Sequence, residues 1–188
     1  MNKKIGLFFG TFNPIHNGHI EIGNCVLNNF KLNEIWCVVT PFYGNKKKEN
    51  LIDFQERINI IKIIESKKII AKDFEKQLSP PYYTINTLNF LKKFPHDFSI
   101  IMGEDNFENI HKWKRYKNIL RDYKIIIYPR EGSKVKNINK NSINVIENKK
   151  INISSSFILK NFKEYSKIKN MINLKIYNYI KRKNLLKR

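Results

Sequence analysis

The 188-residue chain is 41% hydrophobic and sets 36 Lys and Arg against 16 Asp and Glu, a formal net charge of +20. This length suits about one domain with its own core, and no run approaches the ~18–20 uninterrupted apolar residues of a membrane-spanning helix, which excludes that class. The charge raises a nucleic-acid reading, yet the lysines are spread along the chain and the densest runs, 45–50 and 180–188, lie far apart. Most of it therefore reads as solvated surface, with a part left to hold anionic substrates and no specific nucleic acid expected.

The opening "MNKK" leads into a strand-like run without a small-residue cleavage site, so a soluble, unprocessed, cytoplasmic chain is expected, with residues 1–188 forming one domain. Ile5 to Phe9 suits a buried parallel strand, and "HIEIGNCVLNNF" after it has apolar residues at helical spacing. Cys25 and Cys37 lack metal or redox spacing and read as reduced core residues. Glu34 to Thr40 is a second strand, ended by Pro41 and the polar loop "FYGNKKKEN". The next segment, 51–66, puts Phe54, Ile58, Ile61 and Ile64 on one helical stripe with Asp53 as its cap.

"KIIAKDFE" is the third strand, and two prolines keep "SPPYY" from being helical. A helix over 84–94 with Thr84 as N-cap follows, then a strand ending at Gly103, a helical "NIHKWKRYKNIL" and a strand in "YKIIIYPREG". The remaining C-terminal part, about 154–188, reads as helical. Alternating strands and helices predict an α/β fold, a doubly wound parallel sheet whose ligands bind at the carboxyl ends of the strands near the reversal of strand order.

"GTFNPIHNGH" lies at such a place, between the first strand and the first helix, where backbone N–H groups and the helix dipole favour an anion. Gly10 allows close backbone approach, Pro14 fixes the turn and Gly18 leaves room beside His16 and His19. The two histidines are three residues apart and can face one bound group if the helix begins near them. A zinc pair is the alternative, but no Cys or carboxylate cluster nearby completes a metal site.

This stretch resembles the signature of the nucleotidyltransferases that move adenylyl or cytidylyl groups onto phosphate esters. "PFYGNKKK", "SPPYYTINTL", "IIMGEDN" followed by "HKWKRY", "YPREG" and "NISSSFILK" are similar, in order and spacing, to one branch, the bacterial nicotinate-nucleotide adenylyltransferases. The resemblance spans essentially the whole chain. The first motif names only the superfamily, and "YYTINTL" with "HKW" selects the branch.

The resemblance implies an enzyme of a Rossmann-like nucleotidyltransferase fold, with ATP and nicotinate mononucleotide as partners and a homo-oligomer left open. The 5′-phosphate of the mononucleotide attacks the α-phosphorus of ATP in line, giving nicotinate adenine dinucleotide and pyrophosphate without a covalent intermediate. A phosphate nucleophile is already ionised near neutral pH, so alignment and charge neutralisation are needed more than a strong base. Mg²⁺ is expected on the ATP phosphates, held mainly by water and substrate, with no metal site in the protein.

By the same resemblance, His16 and His19 contact the ATP phosphates, His19 serving the α-phosphate, and Gly10, Thr11, Phe12 and Gly18 line the same pocket. Lys46, or its neighbours Lys47 and Lys48, reaches phosphate, the alternative being a solvated charge run. Gly103 and Asp105 match the nucleotide-contacting Gly-x-Asp, with Asp105 placed to accept from a ribose hydroxyl or, alternatively, to cap a helix. Trp113 stacks on the nicotinate ring, unless it is an ordinary core residue, while Thr84 and amides including that of Lys114 receive the carboxylate. Ser154, Ser155 and Ser156 open a helix facing ATP.

One position departs from the pattern. Leu159 stands where the family carries an Arg, and Lys160 beside it points about 100° away on a helix and lacks the planar fork. Losing one charge-assisted contact corresponds to a rate loss on the order of 10²-fold, unless a residue such as Arg130 compensates. Pantetheine-phosphate adenylyltransfer is one alternative and does not account for "YYTINTL" with Trp113; a basic nucleic-acid-binding or inactive relative is the other, favoured only by the charge and Leu159.

Overall fold

A computed structural model describes residues 2–42, 51–129, 143–146 and 153–186. The strands are β1 (Lys4–Gly10), β2 (Glu34–Val39), β3 (Ile69–Lys72), β4 (Asp97–Gly103), β5 (Lys124–Tyr128) and β6 (Ile143–Val145). They pair in the order β3-β2-β1-β4-β5-β6, every neighbouring pair parallel. The chain winds outward from β1 in one direction and from β4 in the other, so the strand order reverses between them. This is the doubly wound sheet that the alternation predicts.

Period-two alternation divides the core into two layers. Ile5, Leu7, Trp36 and Val38 pack on one face with Leu88, Leu91 and Ile119, whereas Phe8, Ile35, Cys37 and Val39 pack on the other with Val26, Ile61 and Ile176. The helices on the second face include α1 (Asn17–Asn29) and α2 (Phe54–Lys62). The first face is covered by α3 (Thr84–Leu91), a short α4 (Glu104–Glu108) and α5 (Tyr116–Asp122). The C-terminal part forms α6 (Ser155–Lys160), α7 (Tyr165–Ile168) and α8 (Leu174–Arg182), whose Ile158, Ile168, Ile176 and Ile180 join the α1–α2 face. Across that face the Glu56 carboxylate of α2 accepts from Tyr179 Oη (2.7 Å) and Lys183 Nζ (2.9 Å), and the Lys183 contact holds it below the usual carboxylate range.

Cys25 and Cys37 are unpaired thiols, and burial pushes that of Cys37 up to about 12, as befits an inert core residue. Asp53 caps α2 as expected, accepting from the Gln55 amide at 2.8 Å. Three local expectations fail, and one strand was not expected. The third strand stops at Lys72, and Phe74–Gln77 turns into a 3₁₀ helix. The N-cap of α3 is Tyr83, which leaves Thr84 inside the first turn.

The segment 109–120 is not one helix: Ile110–Lys112 is a 3₁₀ turn, Trp113 is extended, Arg115 is left-handed (φ 54°) and α5 follows. Ile110 and Ile119 enter the same core cluster, yet nine residues on a continuous helix would set them about 180° apart. Burying both requires the break. The fourth difference is β6, three residues long and therefore without a readable pattern of its own.

Candidate active site

The corner after β1 is shaped from below. Phe12 adopts a left-handed turn (φ 46°) and buries its ring under Gly10, where a Cβ would come within 3.3 Å of it. The space at Gly10 thus admits the Phe12 ring, and only the backbone of Phe12 is left for a ligand. His16 is the N-cap of α1 and His19 lies in its first turn, their ring centroids 3.7 Å apart. Phe8 and Phe12 back His19 with centroids at 5.7 and 5.1 Å.

The His16 backbone N–H donates to His19 Nδ1 at 3.3 Å, so the neutral His19 imidazole carries its proton on Nε2. Two amides of the first turn are already engaged: Asn17 donates to Met171 O and His19 to His16 O, each at 2.9 Å.

Arg57 holds the corner in place, although sequence reasoning passed over it. It is 1% exposed, and its guanidinium donates to the carbonyls of Ile52 (2.8 Å), Thr11 (2.7 Å), Thr40 (2.8 Å) and Pro41 (2.7 Å). One side chain thereby ties the segment after β1 to the end of β2 and the entry to α2. Burial lowers its pKa to about 10, which still leaves it charged at neutral pH. A signal existed: Arg57 lies on the stripe of Phe54, Ile58 and Ile61, a cation where an apolar residue is expected. Asn13 Oδ1 accepts from the Ile52 amide (3.0 Å), and Ser155 of α6 donates to Pro14 O (3.1 Å).

Beside the corner, a cleft of about 290 Å³ opens at the carboxyl ends of β1, β2, β4 and β5. It brings together Thr84, Gly103, Trp113 and Lys114, four residues expected in the site, with Glu75 and Tyr128. Phe8 lines the cleft and touches both His19 and Tyr128 (5.8 Å between ring centroids), so the corner and the cleft adjoin. Trp113 is half-buried, packing against the core cluster while lining the cleft beside the exposed Lys114, whose Nζ lies 4.7 Å from the Tyr83 ring.

Gly103 is the N-cap of α4, and a Cβ there would collide with Asp105 Oδ1 and come within 3.2 Å of the Tyr128 ring. The Asp105 carboxylate thus lies back over Gly103, the N-cap residue of the helix. Glu75 is 1% exposed; its Oε1 accepts from Thr87 Oγ1 at 2.7 Å, and its Oε2 has no hydrogen-bond partner among the described residues.

A family model described as cytidylyltransferase-like matches residues 7–162. Curated relatives named probable nicotinate-nucleotide adenylyltransferase from Flavobacterium psychrophilum and Flavobacterium johnsoniae are 41% and 42% identical, each over 98% of this chain and 100% of their own length. The chain belongs to the nicotinate-nucleotide adenylyltransferase family. A solved structure of the Plasmodium falciparum nicotinic acid mononucleotide adenylyltransferase, complexed with NaAD, superposes with a TM-score of 0.80 at 28% identity, covering 98% of this chain and 97% of that one.

Within this adenylyltransferase fold, the expected residues fall into two adjoining groups and a third that is tied to the corner by the Ser155–Pro14 bond. Gly10, Thr11, Phe12, His16, Gly18 and His19 form the corner, and Thr84, Gly103, Trp113 and Lys114 meet at the cleft. Ser154 caps α6, accepting from the Phe157 amide at 3.2 Å, with Ser155 and Ser156 in its first turn. Leu159 is half-buried on that helix, and Lys160 is exposed. Lys46, Lys47, Lys48 and Arg130 lie outside the described residues. Arg57 cannot stand in for the missing arginine, because its guanidinium is committed to four carbonyls.

Proposed function

We infer that this chain transfers the adenylyl group of ATP to nicotinate mononucleotide, releasing pyrophosphate and forming nicotinate adenine dinucleotide. The observation that carries this reading is the juxtaposition of a close, tilted imidazole pair with a cleft holding Thr84, Trp113 and Lys114. Full-length similarity to relatives of that name, and the NaAD in the Plasmodium falciparum structure, support it.

The roles follow from the donors each group offers. His19, with its proton on Nε2, donates to the α-phosphate as charge builds on its oxygens, and His16 beside it contacts the adjoining phosphate. Gly10, Thr11, the Phe12 backbone and Gly18 shape the wall there. Gly103 and Asp105, with the serines opening α6, contact the nucleotide. Trp113 stacks on the pyridinium ring, and the Thr84 hydroxyl with the Lys114 amide receives the ring carboxylate.

Lys46 and Arg130 are assigned as phosphate contacts from the resemblance alone. Mg²⁺ takes oxygen ligands, and among the described residues no group of three or more His, Cys, Asp and Glu side chains is arranged to hold a metal ion. The imidazoles at the corner suit phosphate oxygens, not Mg²⁺, so we assign the ion to the ATP phosphates and no step to a protein-held metal. Among the described residues no helix is long and apolar enough to cross a membrane, and a cytoplasmic enzyme is proposed.

Incubation with ATP, Mg²⁺ and each acceptor in turn tests the reading. Pyrophosphate release with nicotinate mononucleotide is expected; its absence there, or release with pantetheine phosphate instead, overturns it.

A further inference from the structure

Glu75 is a buried acid on the floor of the acceptor cleft, and no step above uses it. It sits in the 3₁₀ turn Phe74–Gln77 after β3, and only one of its two oxygens is satisfied. The satisfied one binds Thr87 Oγ1, and Thr87 lies three residues after Thr84 on α3, so the two hydroxyls share a helix face. The carboxyl is thereby anchored about one helical turn from Thr84, in the cleft that Thr84 and Trp113 also line. A buried polar oxygen without a partner costs free energy unless a ligand or a proton meets it.

We propose that Glu75 is a specificity-determining residue of the acceptor cleft: its protonated carboxyl donates through Oε2 to the ring carboxylate of nicotinate mononucleotide, and its ionised form repels that carboxylate while accepting from a carboxamide. This rests on the reading that seats the carboxylate at Thr84. Burial pushes the Glu75 carboxyl up to about 7, against the pull of the bonded Thr87 hydroxyl and of the Thr40 hydroxyl, which lies nearby without making a hydrogen bond to Oε2, so both forms are populated near neutral pH.

The surrounding charges leave the carboxyl uncompensated. Lys112 and Lys114 reach the cleft from the turn before α5, Tyr82 and Tyr83 from the segment before α3, and Tyr128 from β5. Lys112 Nζ is bound to Asn109 Oδ1 (2.7 Å) and Lys114 lies over Tyr83. Along its own segment Lys72 lies over the Trp36 ring at 4.4 Å, and Asp73 and Lys76 flank the turn. Thr40 is what the end of β2 contributes, and α3 offers hydroxyls alone. Among the described residues no ion pair joins any of these cations to Glu75.

The test compares nicotinate with nicotinamide mononucleotide in the wild type and in Glu75→Gln, which keeps the shape and an acceptor for Thr87 but does not titrate. In the wild type the ratio of kcat/KM for the two acceptors should fall, against nicotinate, by about tenfold or more between pH 6 and 8.5, and in Glu75→Gln it should stay within about twofold. Calorimetry in two buffers of different ionisation enthalpy gives a readout without turnover and without the variant. At pH 7.5, nicotinate mononucleotide should bind with about half a proton more uptake than nicotinamide mononucleotide, the phosphate shared by both cancelling.

A pH-independent ratio and equal proton uptake in the wild type would overturn the proposal, and would leave Glu75 a packing partner of Thr87. A Glu75→Gln profile that tracks the wild type would do the same. No binding or turnover of nicotinate mononucleotide at any pH is a separate result, which removes the adenylyltransfer reading and the carboxylate seat with it.

Discussion

His16 and His19 occupy one strand-to-helix turn, whereas Glu75, Thr84, Trp113 and Tyr128 reach the adjoining cleft from four separate elements. The corner is a local structure held from a distance chiefly by Arg57, with further ties to Ile52, Ser155 and Met171, and the His16–His19 bond lies within a single turn. The cleft is a distributed structure, aligned by the burial of each element that contributes to it. Damage to the corner should therefore be concentrated at Arg57 and His19, while damage to the cleft should be spread over several smaller effects.

The clamp carries the largest expected effect. Arg57→Ala leaves four carbonyls, two buried and two part-buried, without their donor and should cost about 3–5 kcal/mol of stability, read from urea unfolding. A cost below about 1 kcal/mol would mean that the corner holds itself together. Next, His19→Ala should lower kcat by about 10²–10³-fold with the circular dichroism spectrum unchanged, since one charge-stabilising donor is lost. Unchanged turnover would remove His19 from the chemistry and make the two regions equal in weight.

Glu75 brings a pH-dependent effect to the cleft side. Its folded-state pKa lies above the ordinary value of 4.5, so the native state holds a proton that the unfolded chain releases between about pH 4.5 and 7. Its contribution is full below that window and is lost as pH rises through about 7. Glu75→Gln should therefore gain on the wild type by up to about 3 kcal/mol between pH 4.5 and 8, seen as diverging unfolding midpoints; a constant gap would count against the raised pKa.

The smallest effect is expected at Trp113→Ala, which should raise KM for the acceptor by about tenfold through lost ring stacking and leave KM for ATP alone. An equal rise for both substrates would show that the cleft and the corner are not separable.

Much of this was legible in the chain itself, because it rests on short-range pattern. The strand at 97–103 and the capping of α2 by Asp53 follow from apolar runs and a local hydrogen bond. The histidine pair follows from a spacing of three at a helix start. Arg57 left a trace as a cation on an apolar stripe, and Thr87 as a hydroxyl on the buried face of α3 with Leu88 and Leu91. Neither trace names its partner.

What the sequence alone determined is the alternation of elements, hence the doubly wound sheet, and the corner that one turn can build. Tertiary structure decided the break at Trp113, the placement of Tyr83 rather than Thr84 at the cap of α3, and the four carbonyls gathered by Arg57. It also decided that Glu75 is buried on the floor of the cleft. For Arg57 and Glu75 the reason is that their partners come from other elements, and the break at Trp113 likewise serves a core that exists only once the sheet has closed its two layers.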